Sequence, residues 1–184
     1  MLVDEITMTL YAGHGGRGAV AFNKVKMMQG PTGGDGGRGG SIYFEGVADI
    51  NALKPYSSRK EIRAKNGGNG RGQFLDGSDG ADMILKVPTG TRMVNVGGGY
   101  AREVERVGER ILVAGGGEGG RGNFKFRSGS NTTPKEFEEG KEGDTITCRL
   151  ELRLIADVGL VGFPNAGKSS LLNQLSAAAV KVGD

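Results

Sequence analysis

The chain has 184 residues with a formal net charge of +3, 36 glycines, five prolines and no tryptophan. No apolar run reaches the roughly 18 residues of a transmembrane helix, the acidic opening at 1–5 is no secretory signal, and a single cysteine excludes an internal disulfide. These features predict a cytoplasmic protein without a membrane span, whose glycine content, against roughly 7% in an average protein, needs its own explanation.

Eight short alternating patterns predict β-strands. They cover residues 3–10, 19–22, 41–45, 83–87, 91–96, 102–107, 110–114 and 145–155. The glycines at 97–99 predict a turn that joins two of these strands as a hairpin. Cys148 falls in the apolar alternation of the last strand and is expected to be a small core residue, whereas the sole histidine, His14, is assigned no chemistry. Strands this short and numerous indicate an all-β barrel or sandwich.

A glycine-rich hexapeptide, G-x-G-G-R-G, recurs between the strands. Copies begin at Gly13, Gly34 and Gly117, and a degenerate copy covers 68–72. Many of these glycines are spaced three residues apart, which is the repeat of a polyproline II helix. Glycine edges allow such helices to approach until the N–H groups of one bond to the carbonyls of the next. The repeat therefore predicts an ordered bundle of polyproline II helices that extends from the barrel.

Two other interpretations of the glycines are a flexible linker and a collagen helix. A flexible glycine-rich linker explains the composition but not the period of three. Collagen is excluded, because the period breaks every few turns and the chain has only five prolines.

Basic residues are unevenly distributed. The stretch 59–72 carries five basic residues and one acidic residue, and the stretch 123–135 carries three basic residues and no acidic one. Such runs indicate either a solvated face or a polyanionic partner, and the charges alone leave both open.

The pattern changes after residue 154. A short apolar strand at 155–161 is followed by G-F-P-N-A-G-K-S at 162–169 and by a helical pattern at 170–175. Strand, G-x-x-x-x-G-K-S and helix is the context that a phosphate-binding loop requires. We expect Lys168 to place its charge on the β- and γ-phosphates, and the hydroxyl of Ser169 to bind Mg²⁺. The residues assigned to nucleotide binding are Gly162, Phe163, Pro164, Asn165, Ala166, Gly167, Lys168, Ser169 and Ser170.

The sequence stops 15 residues after this loop, at Asp184. A phosphate loop binds a triphosphate but does not select its base, and the residues for base reading and γ-phosphate sensing lie further along such domains. We therefore expect 156–184 to be the N-terminal fragment of a G domain, with no catalytic residue in it and no activity by itself.

Five segments carry a family resemblance. They are M-L-V-D-E-I at 1–6, G-P-T-G-G-D-G-G-R-G-G at 30–40, K-V-P-T-G-T at 86–91, G-G-G-E-G-G-R-G-N at 115–123 and I-A-D-V-G-L-V-G-F-P-N-A-G-K-S-S-L-L at 155–172. Together they resemble the Obg family of GTPases. The resemblance implies a mainly β Obg fold at 1–155, with a glycine-rich polyproline II bundle on a β-barrel, and a Ras-like, OBG-type α/β G domain from 156. It also implies a monomeric GTP hydrolase that binds the large ribosomal subunit and acts in its assembly and in growth and stress control.

The resemblance further implies that three loops at the far tip of the bundle enter the subunit. The equivalent positions are 23–33, 66–82 and 123–135; the first is less basic than the family usually shows and the second is partly acidic. The basic residues expected to contact ribosomal RNA are Lys24, Lys26, Arg71, Lys125, Arg127 and Lys135.

Asn165 suggests a dependence on potassium. GTPases that use a potassium ion in place of an arginine finger resemble one another in G-x-x-N-x-G-K-[ST], and this chain has that pattern at 162–169. The other interpretation is that Asn165 only tolerates a left-handed backbone angle in a tight loop.

Two alternatives to a ribosome-associated GTPase remain open from the sequence. One is an RNA-binding module without nucleotide chemistry, which the residues following Asp184 would distinguish. The other is a structural glycine-rich protein of the silk type, against which cooperative melting would argue.

Overall fold

The computed structural model describes residues 5–25, 29–152, 161–163, 168, 170 and 171. The chain divides into two compact units, Met1–Arg153 and Leu154–Asp184. The domain boundary expected after residue 155 falls outside the described residues and stays a prediction.

Within its described residues, the first unit contains eight β-strands and two short 3-10 helices. The strands are β1 Glu5–Tyr11, β2 Ile42–Val47, β3 Glu61–Arg63, β4 Met83–Pro88, β5 Thr91–Asn95, β6 Ala101–Val104, β7 Arg110–Ala114 and β8 Thr145–Leu152. The 3-10 helices are Ile50–Tyr56 and Asn123–Phe126. The prediction of a mainly β fold is confirmed.

The strands form two sheets. The five-stranded sheet has the order β3-β1-β8-β5-β6, and the three-stranded sheet has the order β4-β2-β7. β1 pairs antiparallel with β8, so that Met8 faces Cys148. β5 pairs antiparallel with β6, with Thr91 opposite Val104, which confirms the predicted hairpin.

Both sheets turn one face towards a common core. In β1 the side chains of Ile6, Met8 and Leu10 are buried, and their neighbours in the strand point outwards. Phe44 of β2 and Cys148 of β8 are buried in the same cluster, as the alternation predicted for Cys148. Alternating burial of this kind allows two sheets, each with one buried face, to pack around one core.

Two strand assignments differ from the prediction. The predicted strand at 19–22 is wrong: the N–H of Ala19 donates to the carbonyl of Gly34, and only an isolated bridge joins Phe22 to Pro31. This segment lies among glycine-rich segments, so that it has no neighbouring strand to pair with despite its alternation of Ala and Val. β3 was not predicted, because only Ile62 of its three residues is apolar and buried.

Six glycine-rich segments extend from the strands and pack beside one another as the bundle. They are 12–21, 30–41, 64–72, 75–82, 115–123 and 137–144. Every third N–H of one segment bonds to a neighbouring segment: those of Gly13, Gly16 and Ala19 donate, at 2.8–2.9 Å, to the carbonyls of Gly40, Gly37 and Gly34. The predicted period of three is confirmed.

Backbone approaches backbone in the bundle without intervening side chains. A Cβ added to Gly36 would collide with the carbonyl oxygen of Gly16, and the N–H of Gly36 donates to the carbonyl of Gly120 at 2.8 Å. Gly36 thus touches two neighbouring segments at once, which only a residue without a side chain allows.

On the outside of the bundle, side-chain oxygens take the place of backbone carbonyls as acceptors for the N–H groups of the glycine-rich segments. The carboxylates of Asp76, Asp79 and Asp82 accept the N–H groups of Asp35, Arg38 and Ser41 at 2.7–2.8 Å. Asn66 and Asn69 do the same for His14 and Arg17, at 2.9 and 3.1 Å. We call these five acceptors the Asx ladder. The acidic residues of 66–82 therefore belong to the side of the bundle rather than to a loop.

Candidate functional site

The bundle ends, away from the strands, in three loops, whose described residues we call the tip: 22–25 with 29, 73–74 and 124–136. Each loop joins two neighbouring glycine-rich segments. Phe74 contacts both neighbouring parts of the tip region. Its N–H donates to the carbonyl of Thr32, at the start of the segment 30–41, at 2.8 Å, and its ring meets that of Phe124 edge to face with the centroids 5.0 Å apart.

Asn123 fixes the base of the tip. Its side chain is fully buried, and its Oδ1 accepts the N–H of Gly33 at 2.8 Å. Its Nδ2 donates to the carbonyls of Ala21 and Pro134 at 3.1 and 3.0 Å. One amide thus connects three stretches of chain. This role of Asn123 was not predicted from the sequence, although a polar residue directly after the third G-x-G-G-R-G repeat, where the first has Ala19, is a visible signal.

The predicted RNA-binding residues do not share one environment. Lys24, Arg71, Arg127 and Lys135 are exposed at or beside the tip. In contrast, the ammonium group of Lys125 lies 2.5 Å from the carboxylate of Asp35, which raises the pKa of Lys125. Lys26 lies outside the described residues.

Ion pairs neutralise part of the charge on the sides of the bundle. The Nη2 of Arg121 lies 2.6 Å from Oε1 of Glu138 and its Nε lies 2.9 Å from Oε2, a bidentate pair that lowers the pKa of Glu138 to about 2. Lys141 pairs with Glu118 at 2.6 Å. At the tip, the exposed residues Lys24, Arg71, Arg127 and Lys135 form no ion pair among the described residues, and along the bundle the same holds for Arg17, Arg38 and Lys65.

The second unit contains the phosphate-loop motif. The Nζ of Lys168 donates to the carbonyls of Gly162 and Phe163, at 2.8 and 2.6 Å. Lys168, Ser170 and Leu171 have helical backbone. The side chain of Lys168 therefore folds back onto the first residues of the motif. Pro164, Asn165, Ala166, Gly167 and Ser169 lie outside the described residues.

Neither a metal cluster nor a membrane helix is found in the described residues. No three His, Cys, Asp or Glu side chains in that part of the chain could hold a metal ion, and no helix there is long and apolar enough to cross a membrane. The Nδ1 of His14 accepts the N–H of Gly143 at 3.2 Å, which is a structural contact within the bundle.

Comparisons with known proteins match both units. A family model described as GTP1/OBG matches residues 3–154, and one described as a 50S ribosome-binding GTPase matches residues 157–184. The chain is 43% identical, over 187 aligned positions, to the protein described as GTPase Obg from Acidobacterium capsulatum; the alignment covers 100% of this chain and 54% of the relative. The chain thus spans about half the length of the curated relative that it matches. With its sheets and bundle inside the first match and its phosphate loop inside the second, the chain belongs to the Obg family of GTPases.

Proposed function

We propose that this chain is the N-terminal part of a cytoplasmic, monomeric GTPase that binds the large ribosomal subunit and acts in its assembly and in growth and stress control. The observation that carries the proposal is the order of parts along one chain. A backbone-bonded bundle with a cationic tip is followed by a phosphate-loop motif within the match to a 50S ribosome-binding GTPase model. The bundle docks on the subunit, and the phosphate loop binds the nucleotide.

Nucleotide binding rests on the motif at 162–170. Lys168 supplies the charge that the β- and γ-phosphates need, and the hydroxyl of Ser169 is the protein ligand for Mg²⁺, which neutralises phosphate charge when bound. In the full-length protein, Lys168→Ala removes that charge and abolishes GTP binding in a calorimetric titration, whereas the exposed control Lys135→Ala leaves the affinity unchanged. GTP affinity that survives Lys168→Ala contradicts the assignment. Subunit binding without any GTP binding favours an RNA-binding module instead.

Residues 1–184 alone hydrolyse no GTP and bind it weakly at most. The motif at 162–170 contacts phosphates, but a phosphate loop by itself neither reads the base nor senses the γ-phosphate. Calorimetry that gives a micromolar dissociation constant for GTP with residues 1–184 contradicts this statement.

Asn165 makes GTP hydrolysis depend on potassium. A monovalent cation held by its side-chain oxygen and by phosphate oxygens lies where negative charge develops during phosphoryl transfer. Turnover of the full-length protein is compared in potassium and in sodium at equal ionic strength, with and without Asn165→Ala. Equal rates in the two salts would mean that Asn165 has only a backbone role.

Ribosomal RNA is the partner of the tip. Its phosphates are bound by the basic residues Lys24, Lys26, Arg71, Lys125, Arg127 and Lys135. Co-sedimentation of the full-length protein with large subunits weakens steeply as salt rises, because each neutralised phosphate releases counterions.

Charge reversal tests the same surface. We expect reversal of Arg71, Arg127 and Lys135 to Glu to weaken co-sedimentation further. Lys125 is left out, because a glutamate there would face Asp35. The matched control reverses three exposed cations near β3, namely Lys54, Arg59 and Lys60, and keeps full binding. Co-sedimentation that responds neither to salt nor to the tip reversal removes RNA contact from the proposal.

A further inference from the structure

Exposed aromatic side chains are concentrated at the tip. Phe22, Phe74 and Phe124 are 38%, 56% and 43% exposed. Phe74 lies between two open grooves. One, of about 450 Å³, is lined by Phe22 and Lys24 as well as Phe74. The other, of about 240 Å³, is lined by Phe124 and Lys125 as well as Phe74. Three planar side chains thus border adjoining grooves next to basic residues.

The backbone holds Phe74 in an unfavourable conformation. Gln73 and Phe74 have φ angles of +61° and +59°, and they are the only two non-glycine residues with positive φ among the described residues. Two such angles in succession belong to a tight turn that normally uses Asn-Gly, and a bulky residue at positive φ is an outlier. Backbone strain of this kind persists where a site needs a residue held in one orientation.

Two hydrogen bonds keep the strained turn in place. The N–H of Arg71 donates to the carbonyl of Leu75, and that of Phe74 donates to Thr32, both at 2.8 Å. The ring of Phe74 meets that of Phe124 at an interplanar angle of 88°. A perpendicular contact covers one face of one ring only, so flat aromatic surface stays open to a ligand.

The charges favour an anionic ligand at the groove between Phe22 and Phe74, which is lined by Lys24 and by no acidic residue among the described residues. Lys24 and Arg71, which lies two residues before Gln73 of the groove lining, are exposed, and neither forms an ion pair within the described residues. The other groove is lined by Asp35 and Asp76 as well as Lys125: Asp35 binds Lys125 and the N–H of Gly122, and Asp76 accepts the N–H of Asp35. Open aromatic faces beside free cations are the combination that binds unpaired nucleotides, with bases on the rings and phosphates on the cations.

We propose that Phe74 is a base-stacking residue, against which an unpaired base of ribosomal RNA lies while Lys24 and Arg71 hold the adjacent phosphates. Recognition of RNA by stacking requires a base that is not already paired, which selects a loop or bulge of the RNA rather than a regular helix. The inference rests on the proposed function, since it assigns a contact within the ribosome-binding tip.

The test measures binding of the full-length protein to large ribosomal subunits. Phe74→Gly removes the ring at a position whose positive φ suits glycine, so the turn is retained. We expect this variant to bind about 5- to 150-fold more weakly, the range for loss of one base–aromatic stack. Phe74→Trp keeps a planar ring and binds at least as tightly as the wild type. Phe74→Leu is apolar but not planar, and binds as weakly as the glycine variant.

Chemical probing of the RNA bases in the complex identifies the contact. The wild-type protein is expected to protect at least one base of the large-subunit RNA that becomes reactive again with Phe74→Gly. The control Tyr100→Leu removes an aromatic side chain of similar exposure from the β5–β6 hairpin, and it keeps the wild-type affinity and footprint.

The outcomes separate the two proposals. If the wild-type protein does not bind large subunits, the proposed function fails and this inference fails with it. If the wild type binds and Phe74→Gly binds equally well, only the stacking contact is overturned. If Phe74→Leu binds like the wild type and no base is protected, the ring docks into an apolar protein pocket, which also overturns the inference.

Discussion

Gly36 lies between two neighbouring segments of the bundle. A Cβ at this position would overlap the carbonyl oxygen of Gly16, while the N–H of Gly36 must still reach Gly120. We therefore expect Gly36→Val to separate the segments and to lower the free energy of unfolding by more than about 4 kcal/mol, as for other severe packing clashes. The measurement is chemical denaturation of residues 1–155.

Gly129 is the matched control for this substitution. A Cβ added there meets no atom within 4 Å, and its φ is not in the left-handed region. Gly129→Val is expected to change the unfolding free energy by less than about 0.5 kcal/mol. Equal stability of the two variants would mean that the segments do not pack backbone to backbone.

Cys148 is expected to be chemically inert in the folded protein. Burial among the apolar side chains of the core raises the pKa of its thiol to about 12. Since the thiolate is the reactive form, an aromatic disulfide reagent at pH 8 should leave the native protein unmodified and modify one thiol after denaturation. Rapid modification without denaturant would show that β8 separates from the core.

At the scale of elements, the Asx ladder stabilises the outer segments of the bundle. Asp79 accepts the N–H of Arg38 at 2.7 Å. Asp79→Ala removes the acceptor and is expected to lower the unfolding free energy by about 1 kcal/mol, the net value of a typical hydrogen bond. Asp79→Asn keeps an oxygen in place and should lose much less. Urea denaturation of both variants measures the difference, and equal losses would assign the role of Asp79 to its charge.

Elements with a local signal were predictable from the sequence. The strands β1, β2 and β8 alternate between buried and more exposed residues, and the glycine period matches the spacing of the hydrogen bonds between segments. The segment 19–22 alternates as well, but its partners are decided by distant glycines such as Gly34. β3 is a strand because it pairs with β1. The regular spacing of the Asx ladder was not recognised, and its residues were predicted to lie in a loop.

The candidate site also has a part that was predictable from the sequence and a part that was not. The phosphate-loop motif is contiguous in sequence, so its presence was visible directly. The tip is assembled from three loops that are far apart in the chain, and its most constrained residues, Asn123 and Phe74, act through partners on other loops. Charge alone pointed to Lys125, whose ammonium group the fold commits to Asp35.

At the scale of the whole molecule, the bundle and the sheets of the first unit are continuous. Beyond the last β1–β8 pair, Tyr11 with Thr145, the N–H of Ala12 donates to the carbonyl of Asp144 at 2.9 Å. The same strands thus lead directly into the bundle. We expect residues 1–155 to fold by themselves and to melt in one cooperative transition, which differential scanning calorimetry measures. Two separate transitions would show that the bundle and the sheets unfold independently.

The way in which the bundle is built also determines how its stability depends on temperature. The apolar core draws its side chains from the strands and one 3-10 helix, with Ala12 as the single member from the glycine-rich segments. Exposure of apolar surface raises the heat capacity on unfolding, and exposure of polar backbone lowers it. The first unit should therefore unfold with a heat-capacity increment per residue below the usual 12–15 cal/mol/K or so. We therefore expect a flat stability curve, on which the first unit stays folded over a wide range of temperature.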